Sequence, residues 1–507
     1  MKWMPIAFLV IIGIALGLRL PHLADRPMHH DEANQAYRFG TLLEKGTYEY
    51  DSYDHHGPTL YYLTLPVAWL TGGETFAETS ETTYRILPVI FGMLLILCVP
   101  LLRSGIGCFA VLAAALFTAI SPAMAYYSRF YIQEILLVFF TLLTIAAGWH
   151  AWCSGSRTWA VVAGLSAGLM FATKETAVIA YAAMVGAAVL SAVLTRKIHL
   201  PLKNLLVAGI CALAVAFTLF SSFFTNLDGP LESILAFKGY FVRGAGVDTD
   251  HVHPWNFYLR MLTVYRFDGG PIWSEALIFG LGVGGCILIL LQKIPSKCNP
   301  GLARFLMFYT LLLTIAYSAI SYKTPWCILS FLHGWILLAG IGIASILEMS
   351  QRGKRPRLQS GTVLVLLLIL VLGTYRTAHR TVFRYAADYR NPYVYAHTAP
   401  DFMRLMRRID ALEAVSPWGR DMYIQVVADP KETWPLPFYL REFPNVGYWV
   451  DAALVPTQPP PDIVISSTGY ETHPEGYLTE YYGLRADTLL AVHIRRPLWE
   501  RFIETRR

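Results

Sequence analysis

The chain has 507 residues, of which 55% are hydrophobic and only 15% charged, with a formal net charge of +6. A soluble protein of this size carries about 25% charged residues, so a water-soluble globular chain is excluded. The basic residues fall mostly in short turns between apolar runs, a pattern of membrane orientation and not of nucleic-acid binding. Seven cysteines lie in or beside apolar runs and basic turns, which argues against a disulfide framework and against a cysteine metal site.

Residues 4–18 contain no charged side chain and Arg19 follows. No small-residue cleavage site precedes Asp25, so residues 4–20 read as a retained helix and not as a signal peptide. Apolar runs of roughly 17–25 residues match a bilayer core of about 30 Å. They predict helices over 4–20, 84–102, 107–125, 134–152, 158–173, 176–195, 203–224, 274–292, 302–320, 327–348 and 360–376. That makes about eleven transmembrane helices. Alternate turns carry Arg103, Arg157, Arg196-Lys197-Lys203, Lys293-Lys297 and Arg352-Lys354-Arg355-Arg357. By the positive-inside rule these turns and the N-terminus face the cytoplasm, and the odd span count puts the C-terminal block on the other side.

The expected architecture is an α-helical polytopic membrane protein. A transmembrane domain covers residues 1–376, with non-cytoplasmic loops at 21–83 and 225–273. The second loop contains Arg243, Asp248, Asp250, His251, His253 and Arg266. A C-terminal soluble α/β domain covers 377–507. In it, 400–413 reads as a helix with Leu405, Met406 and Ile409 on one face, and 431–442 as helical despite two prolines. Tyr423–Ala428, Val446–Val450, Asp462–Ser466 and Leu489–Ile494 read as strands, which together suggest a small α/β layer.

Chemistry-bearing residues cluster at one predicted face. His29-His30-Asp31-Glu32 follows the first span. Asp31-Glu32 suits either the acidic first turn of an interfacial helix or a general base acting on a hydroxyl. Tyr53-Asp54-His55-His56-Gly57-Pro58 sets two histidines at a tight turn. With the first run they offer ligands for a divalent metal ion or the lining of a metal-free pocket, and the spacing matches no specific metal motif. Tyr126–Glu134 contains Arg129 and Glu134, five apart, which share a cavity only if the chain turns between them. Thr173-Lys174-Glu175-Thr176 is either an ion pair holding a turn or an ammonium aimed at a phosphate. Ser321-Tyr322-Lys323-Thr324-Pro325-Trp326 offers Lys323 and Trp326 as a phosphate contact or an interface anchor.

His30-Asp31-Glu32, Asp54–Pro58, Tyr127-Ser128-Arg129-Phe130, Thr173-Lys174-Glu175, Lys323–Trp326 and Tyr389-Arg390-Asn391-Pro392-Tyr393-Val394-Tyr395 together resemble the flippase-activity-associated proteins of archaeal and bacterial glycosylation clusters. The resemblance covers most of residues 1–400. More distantly the chain is similar to protein O-mannosyltransferases and to the aminoarabinose transferases of lipid A, which are GT-C glycosyltransferases. The resemblance implies a GT-C-like fold, a catalytic acidic residue in the first outer loop and a lipid-phosphate sugar donor. Asp31 matches the acidic position, with Glu32 beside it. Ser128-Arg129 through Glu134 matches a stretch that usually ends in Asp. Lys174 sits where related enzymes carry a basic residue.

The expected function is an inverting membrane glycosyltransferase with a polyprenyl-phosphate-sugar donor and a glycan, lipid or protein acceptor. Asp31, Glu32 and Glu134 are the catalytic candidates. His30, His55, His56, Arg129, Lys174, Lys323 and Trp326 are the substrate-binding candidates, and a divalent metal ion is a possible cofactor. The expected location is the cell membrane. The alternative is a lipid-linked sugar transporter or flippase accessory, which would place charges near the bilayer midplane and show repeat symmetry.

Overall fold

A backbone inside a bilayer must satisfy its own N–H and C=O groups, so each long apolar run becomes a helix. The computed structural model describes residues 4–51, 56–195, 201–247, 249, 251–353, 355–468 and 475–506. His55, Asp248 and Asp250, and the basic residues Arg196, Lys197 and Lys354, lie outside the described residues. The helices run in order α1 (Met4–Arg19), α2 (His30–Lys45), α3 (Thr59–Leu70), α4 (Glu81–Cys98), α5 (Arg103–Ile106), α6 (Cys108–Ile120) and α7 (Pro122–Tyr127). They continue with α8 (Glu134–Ser154), α9 (Arg157–Thr173), α10 (Ala177–Thr195), α11 (Leu202–Phe220), α12 (Gly229–Gly244), α13 (Phe257–Leu262) and α14 (Ala276–Leu290). Then come α15 (Pro300–Ala319), α16 (Leu329–Gln351), α17 (Pro356–His379), α18 (Phe402–Glu413), α19 (Pro430–Thr433), α20 (Leu436–Tyr439) and α21 (Arg496–Glu504).

A helix stands at each of the predicted spans. Among the described residues, seven helical stretches are long and apolar enough to cross a membrane. Shorter apolar helices are α1, α3, α6 and α14; α9, at a predicted span, is in neither set, and α3 lies in the predicted first loop. The predicted 107–125 helix is two helices, α6 and α7. Pro122 has no N–H to continue α6, and Ser121 leaves the helical region to cap α7, its hydroxyl accepting from Met124 N at 3.3 Å. α17 runs through His379, past the expected end at 376. The loops at 21–83 and 225–273 are themselves helical in α2, α3, α12 and α13, short elements whose polar residues break the apolar runs that mark a span.

α16 is the central helix, buried along most of its length, whereas α11 buries only Phe220 and turns many apolar side chains outward. Small residues bring helices close. A Cβ on Gly164 or Gly168 of α9 would strike the carbonyls of Ala208 and Ala212 on α11, a small-xxx-small contact of membrane helices.

The second hydrophobic core belongs to a separate layer built from Phe402 to Phe502. Its strands are β1 (Ile424–Val427), β2 (Val446–Trp449), β3 (Ile463–Ser467), β4 (Tyr477–Arg485) and β5 (Thr488–Arg495), ordered β2-β1-β3-β5-β4. β2, β1 and β3 are parallel, and β5 joins antiparallel to β3 and β4. Leu405, Met406 and Ile409 of α18 are buried in this core. The helix predicted over 431–442 is broken into α19 and α20 at Trp434-Pro435. The segment between α17 and α18 packs back on the membrane domain, where Tyr393 joins the first core. α20 docks on α2: Met28 N donates to the Tyr439 hydroxyl at 2.9 Å, and Thr398 donates to Met28 O at 2.7 Å.

Candidate active site around the first-loop helix

α2 begins with a capping box. His29 Nδ1 accepts from Asp31 N at 3.0 Å, and His29 N donates to Glu32 Oε2 at 3.1 Å. Because Nδ1 accepts, Nε2 carries the proton and donates to Tyr395 O at 2.9 Å. His29 thereby ties α2 to the segment before the soluble domain.

Glu32 and Asp31 face different surroundings. Glu32 is fully buried and meets two guanidiniums: Arg26 at 2.9 Å, and Arg85 at 2.9 Å through Nε and 2.8 Å through Nη2. Tyr131 N adds a further bond at 2.9 Å. Burial alone would raise its pKa, but Arg26 and Arg85 hold the carboxyl well below its usual range. Its oxygens are saturated by protein donors. Asp31, one residue earlier, keeps its side chain 38% exposed, with His29 Nδ1 4.0 Å away. Burial first, then the Cys327 thiol and the Asp31 carboxylate, raise the pKa of Tyr322. Asp31 therefore lies within electrostatic reach of the 321–326 turn.

That turn pairs with the second loop. Lys323 N donates to His251 O at 2.9 Å and His253 N to Ser321 O at 3.2 Å, around a Val252–Tyr322 bridge. The Lys323 side chain is buried, and its ammonium donates to His253 O at 3.2 Å and to Ile320 O. Among the described residues no carboxylate neutralises it. The Tyr395 hydroxyl sits 2.8 Å from His251 Nδ1 and 3.1 Å from His253 Nε2. Trp326 stacks on Phe130, with ring centroids 6.3 Å apart, and lies edge-on to His29 and Tyr395.

The α9–α10 turn closes the next side. Lys174 and Glu134 are both buried and form an ion pair, leaving Glu134 Oε2 without a partner. Glu175 accepts from Tyr50 at 3.1 Å and pairs with His56 Nδ1 at 2.8 Å, while the Tyr240 hydroxyl of α12 lies 3.2 Å from that nitrogen. Burial opposes the charge on Glu175, but His56 beside it brings its pKa down. Gly57 fits here because a Cβ would strike the Ala172 carbonyl. Among the described residues no three His, Cys, Asp or Glu side chains gather to hold a metal.

Two predicted residues point elsewhere. His30 faces the soluble domain, its ring 6.1 Å from Trp434, and burial pushes its pKa down to about 4. The Arg129 guanidinium caps the end of α1, donating to Leu18 O at 3.4 Å, Arg19 O at 2.8 Å and His22 O at 2.8 Å. Asp31 and Lys174 both lie within electrostatic reach of Tyr322, in the turn that carries Lys323 and Trp326, whereas Arg129 serves the end of α1. Arg26, Arg85 and Tyr240 are the partners that sequence reasoning missed. Arg85 alone left a signal, a charged residue in the first turns of an apolar span.

The family model of dolichyl-phosphate-mannose-protein mannosyltransferases matches residues 63–221. No curated protein sequence matches the chain significantly. Among solved structures, ArnT from Cupriavidus metallidurans in the apo state superposes with a TM-score of 0.64 at 15% identity, covering 97% of this chain and 98% of that one. ArnT bound to undecaprenyl phosphate gives 0.63 at 14% identity, covering 96% and 97%. The Archaeoglobus fulgidus oligosaccharyltransferase tethered with an acceptor peptide gives 0.58 at 15% identity, covering 88% of this chain and 63% of that one. The chain thus spans less than two thirds of the oligosaccharyltransferase and nearly all of ArnT. This is an integral membrane protein with the GT-C fold, a mostly helical membrane part and a C-terminal sheet domain. It is similar to the protein O-mannosyltransferases and to ArnT.

Proposed function

We propose that the protein is a GT-C-type glycosyltransferase that moves a sugar from a polyprenyl-phosphate donor to an acceptor hydroxyl with inversion at the anomeric carbon. The observation that carries this reading is the contrast among carboxylates. Glu32, Glu134 and Glu175 are sealed in ion pairs, whereas Asp31 keeps an exposed side chain within electrostatic reach of Tyr322, the neighbour of the uncompensated Lys323. A general base must reach a substrate proton, and a buried cation bound only by carbonyls suits a phosphate better than it suits the protein.

In the proposed step Asp31 accepts the acceptor's hydroxyl proton as that oxygen bonds to the anomeric carbon. The bond from that carbon to the phosphate oxygen breaks with its electron pair, so polyprenyl phosphate leaves as an anion and needs no general acid. Lys323 stabilises the growing phosphate charge in a site of low dielectric. Trp326 and His56 line the donor and acceptor space. Glu32 positions Asp31 through the capping box, and Glu134 orients Lys174. The soluble domain, residues 377–507, binds the acceptor or a partner. The chain lies in the cell membrane with its N-terminus cytoplasmic and its C-terminal domain on the other side, as the basic turns indicate.

The test is single-turnover transfer from a polyprenyl-phosphate sugar in detergent, with donor binding measured separately. Loss of a general base costs about 10²–10⁴ in rate, so Asp31→Asn is expected to bind donor normally and to lose that much turnover. Near-normal turnover would overturn the mechanism and favour lipid-linked sugar transport.

A further inference from the structure

A second cavity, of about 520 Å³, opens between the end of α1, α7 and the end of α17. Gly17, His22, Arg26, Arg129, His379 and Phe383 are among its lining residues. It does not include Asp31 or Lys323, and Arg26, bound to Glu32, forms the wall between the two sites.

Its charge is unbalanced. Arg26 and Arg129 line it, Arg19 and Arg85 are buried near Arg129, and Glu32 is already shared by Arg26 and Arg85. One carboxylate, Asp25, also lines the cavity; it is exposed and tied to His22 at 2.8 Å. Arg19 and Arg129 meet backbone carbonyls, with no carboxylate partner among the described residues. Burial, and then Arg26 and Arg85, push the pKa of Arg129 down to about 9. Arg129 is 7% exposed and has five N–H donors. Its three bonds to carbonyls leave Nε–H and one Nη2–H for the cavity.

The other wall belongs to a lipid-facing helix. Leu366, Ile369, Leu370 and Leu372 of α17 are exposed apolar side chains leading toward the cavity mouth. Tyr375, His379 and Phe383 line that wall, while the exposed Arg380 and Arg384 of the same helical stretch lie over the Tyr385 ring. Two guanidiniums and two histidines in a pocket at the end of a lipid-facing helix suit an anionic headgroup whose acyl chains lie along the helix.

We infer that this cavity binds the phosphodiester headgroup of an anionic membrane lipid, at a site separate from the proposed donor site. The full chain is placed in nanodiscs of phosphatidylcholine with or without phosphatidylglycerol. Retained lipid is counted by native mass spectrometry after transfer to detergent, and thermal unfolding is followed in parallel. One phosphatidylglycerol is expected to be retained in preference to phosphatidylcholine. Gly17→Leu fills the cavity, and a Cβ there meets nothing within 4 Å, so the fold is kept. His379→Glu instead repels the anion without filling the space. Each is expected to lower phosphatidylglycerol retention by at least about ten-fold, Gly17→Leu by occupying headgroup space and His379→Glu by replacing an attractive contact with a repulsive one. Retention equal to wild type in both folded variants overturns the site. Protection from unfolding by inorganic phosphate alone, equal to that by phosphatidylglycerol, overturns the lipid as its occupant.

Discussion

At the residue scale, two adjacent carboxylates have opposite environments because successive helix positions point about 100° apart. Glu32 turns into the protein and Asp31 turns out. The two substitutions should therefore fail differently. Glu32→Gln leaves Arg26 and Arg85 buried without their anion, and breaking a buried pair costs about 3–5 kcal/mol. A large drop in thermal stability is expected, and Arg85→Gln should match it. Asp31→Asn should keep the wild-type melting temperature while losing turnover. Equal melting temperatures for Glu32→Gln and wild type would remove the hub assignment. The depressed carboxyls also give a pH sign. Glu32 and Glu175 have folded pKa values below their unfolded ones. Their stabilisation is present above the ordinary carboxyl value of about 4.3 and is lost as pH falls through the folded values.

At the element scale, α2 is held by its cap, by Arg85 of α4 and by the α19–α20 segment of the sheet domain. His30 reports that last contact. The unfolded chain takes up its proton below about 6.5, but the folded chain resists until about 4. Stability is thus full above pH 6.5 and declines as pH falls from 6.5 to 4. Thermal unfolding across that window should show the decline in wild type and a smaller one in His30→Gln, the remainder coming from His397 and His253, which burial also depresses. An unchanged profile in the variant would mean that His30 does not carry it. The Gly57 turn is a second element-scale constraint. Gly57→Ala must displace the end of α9, so a loss of about 1–3 kcal/mol is expected. Thermal unfolding of the purified variant measures it.

At the scale of the whole molecule, one membrane face carries α2, the α9–α10 turn, the second loop, the 321–326 turn and the sheet domain. If the basic turns set the orientation, that face is extracytoplasmic. A reporter fused after Arg507 should then be active only there, and a cytoplasmic signal would invert the topology. Three acids of residues 377–507 serve structure, Asp388 in the segment before α18 and Asp401 and Asp429 in the sheet domain. Asp388 pairs with Arg390 at 2.6 Å, Asp401 accepts from Gly483 N at 2.8 Å, and Asp429 accepts from Lys431 N at 2.8 Å. Replacing all three with Asn should leave substantial transfer. Abolished turnover in a folded single variant would move the base out of the first loop.

The helical spans and the α/β pattern were legible in the residues alone, because bilayer thickness sets apolar run length and strand burial sets short apolar runs. β4 was not, since it is a half-exposed edge strand with no apolar run. Asp31 and Lys323 were legible as candidates because charge at a membrane face is costly to keep. Which candidates remain available to a substrate was decided only by tertiary structure. Glu32 finds Arg85 53 residues away, and Lys174 finds Glu134 40 residues away. Arg129 commits three of its five donors to the end of α1, more than 100 positions back. Spacing in a chain says which groups a helix presents together, but a buried charge is neutralised by whatever the fold sets opposite it, and that partner is a property of packing.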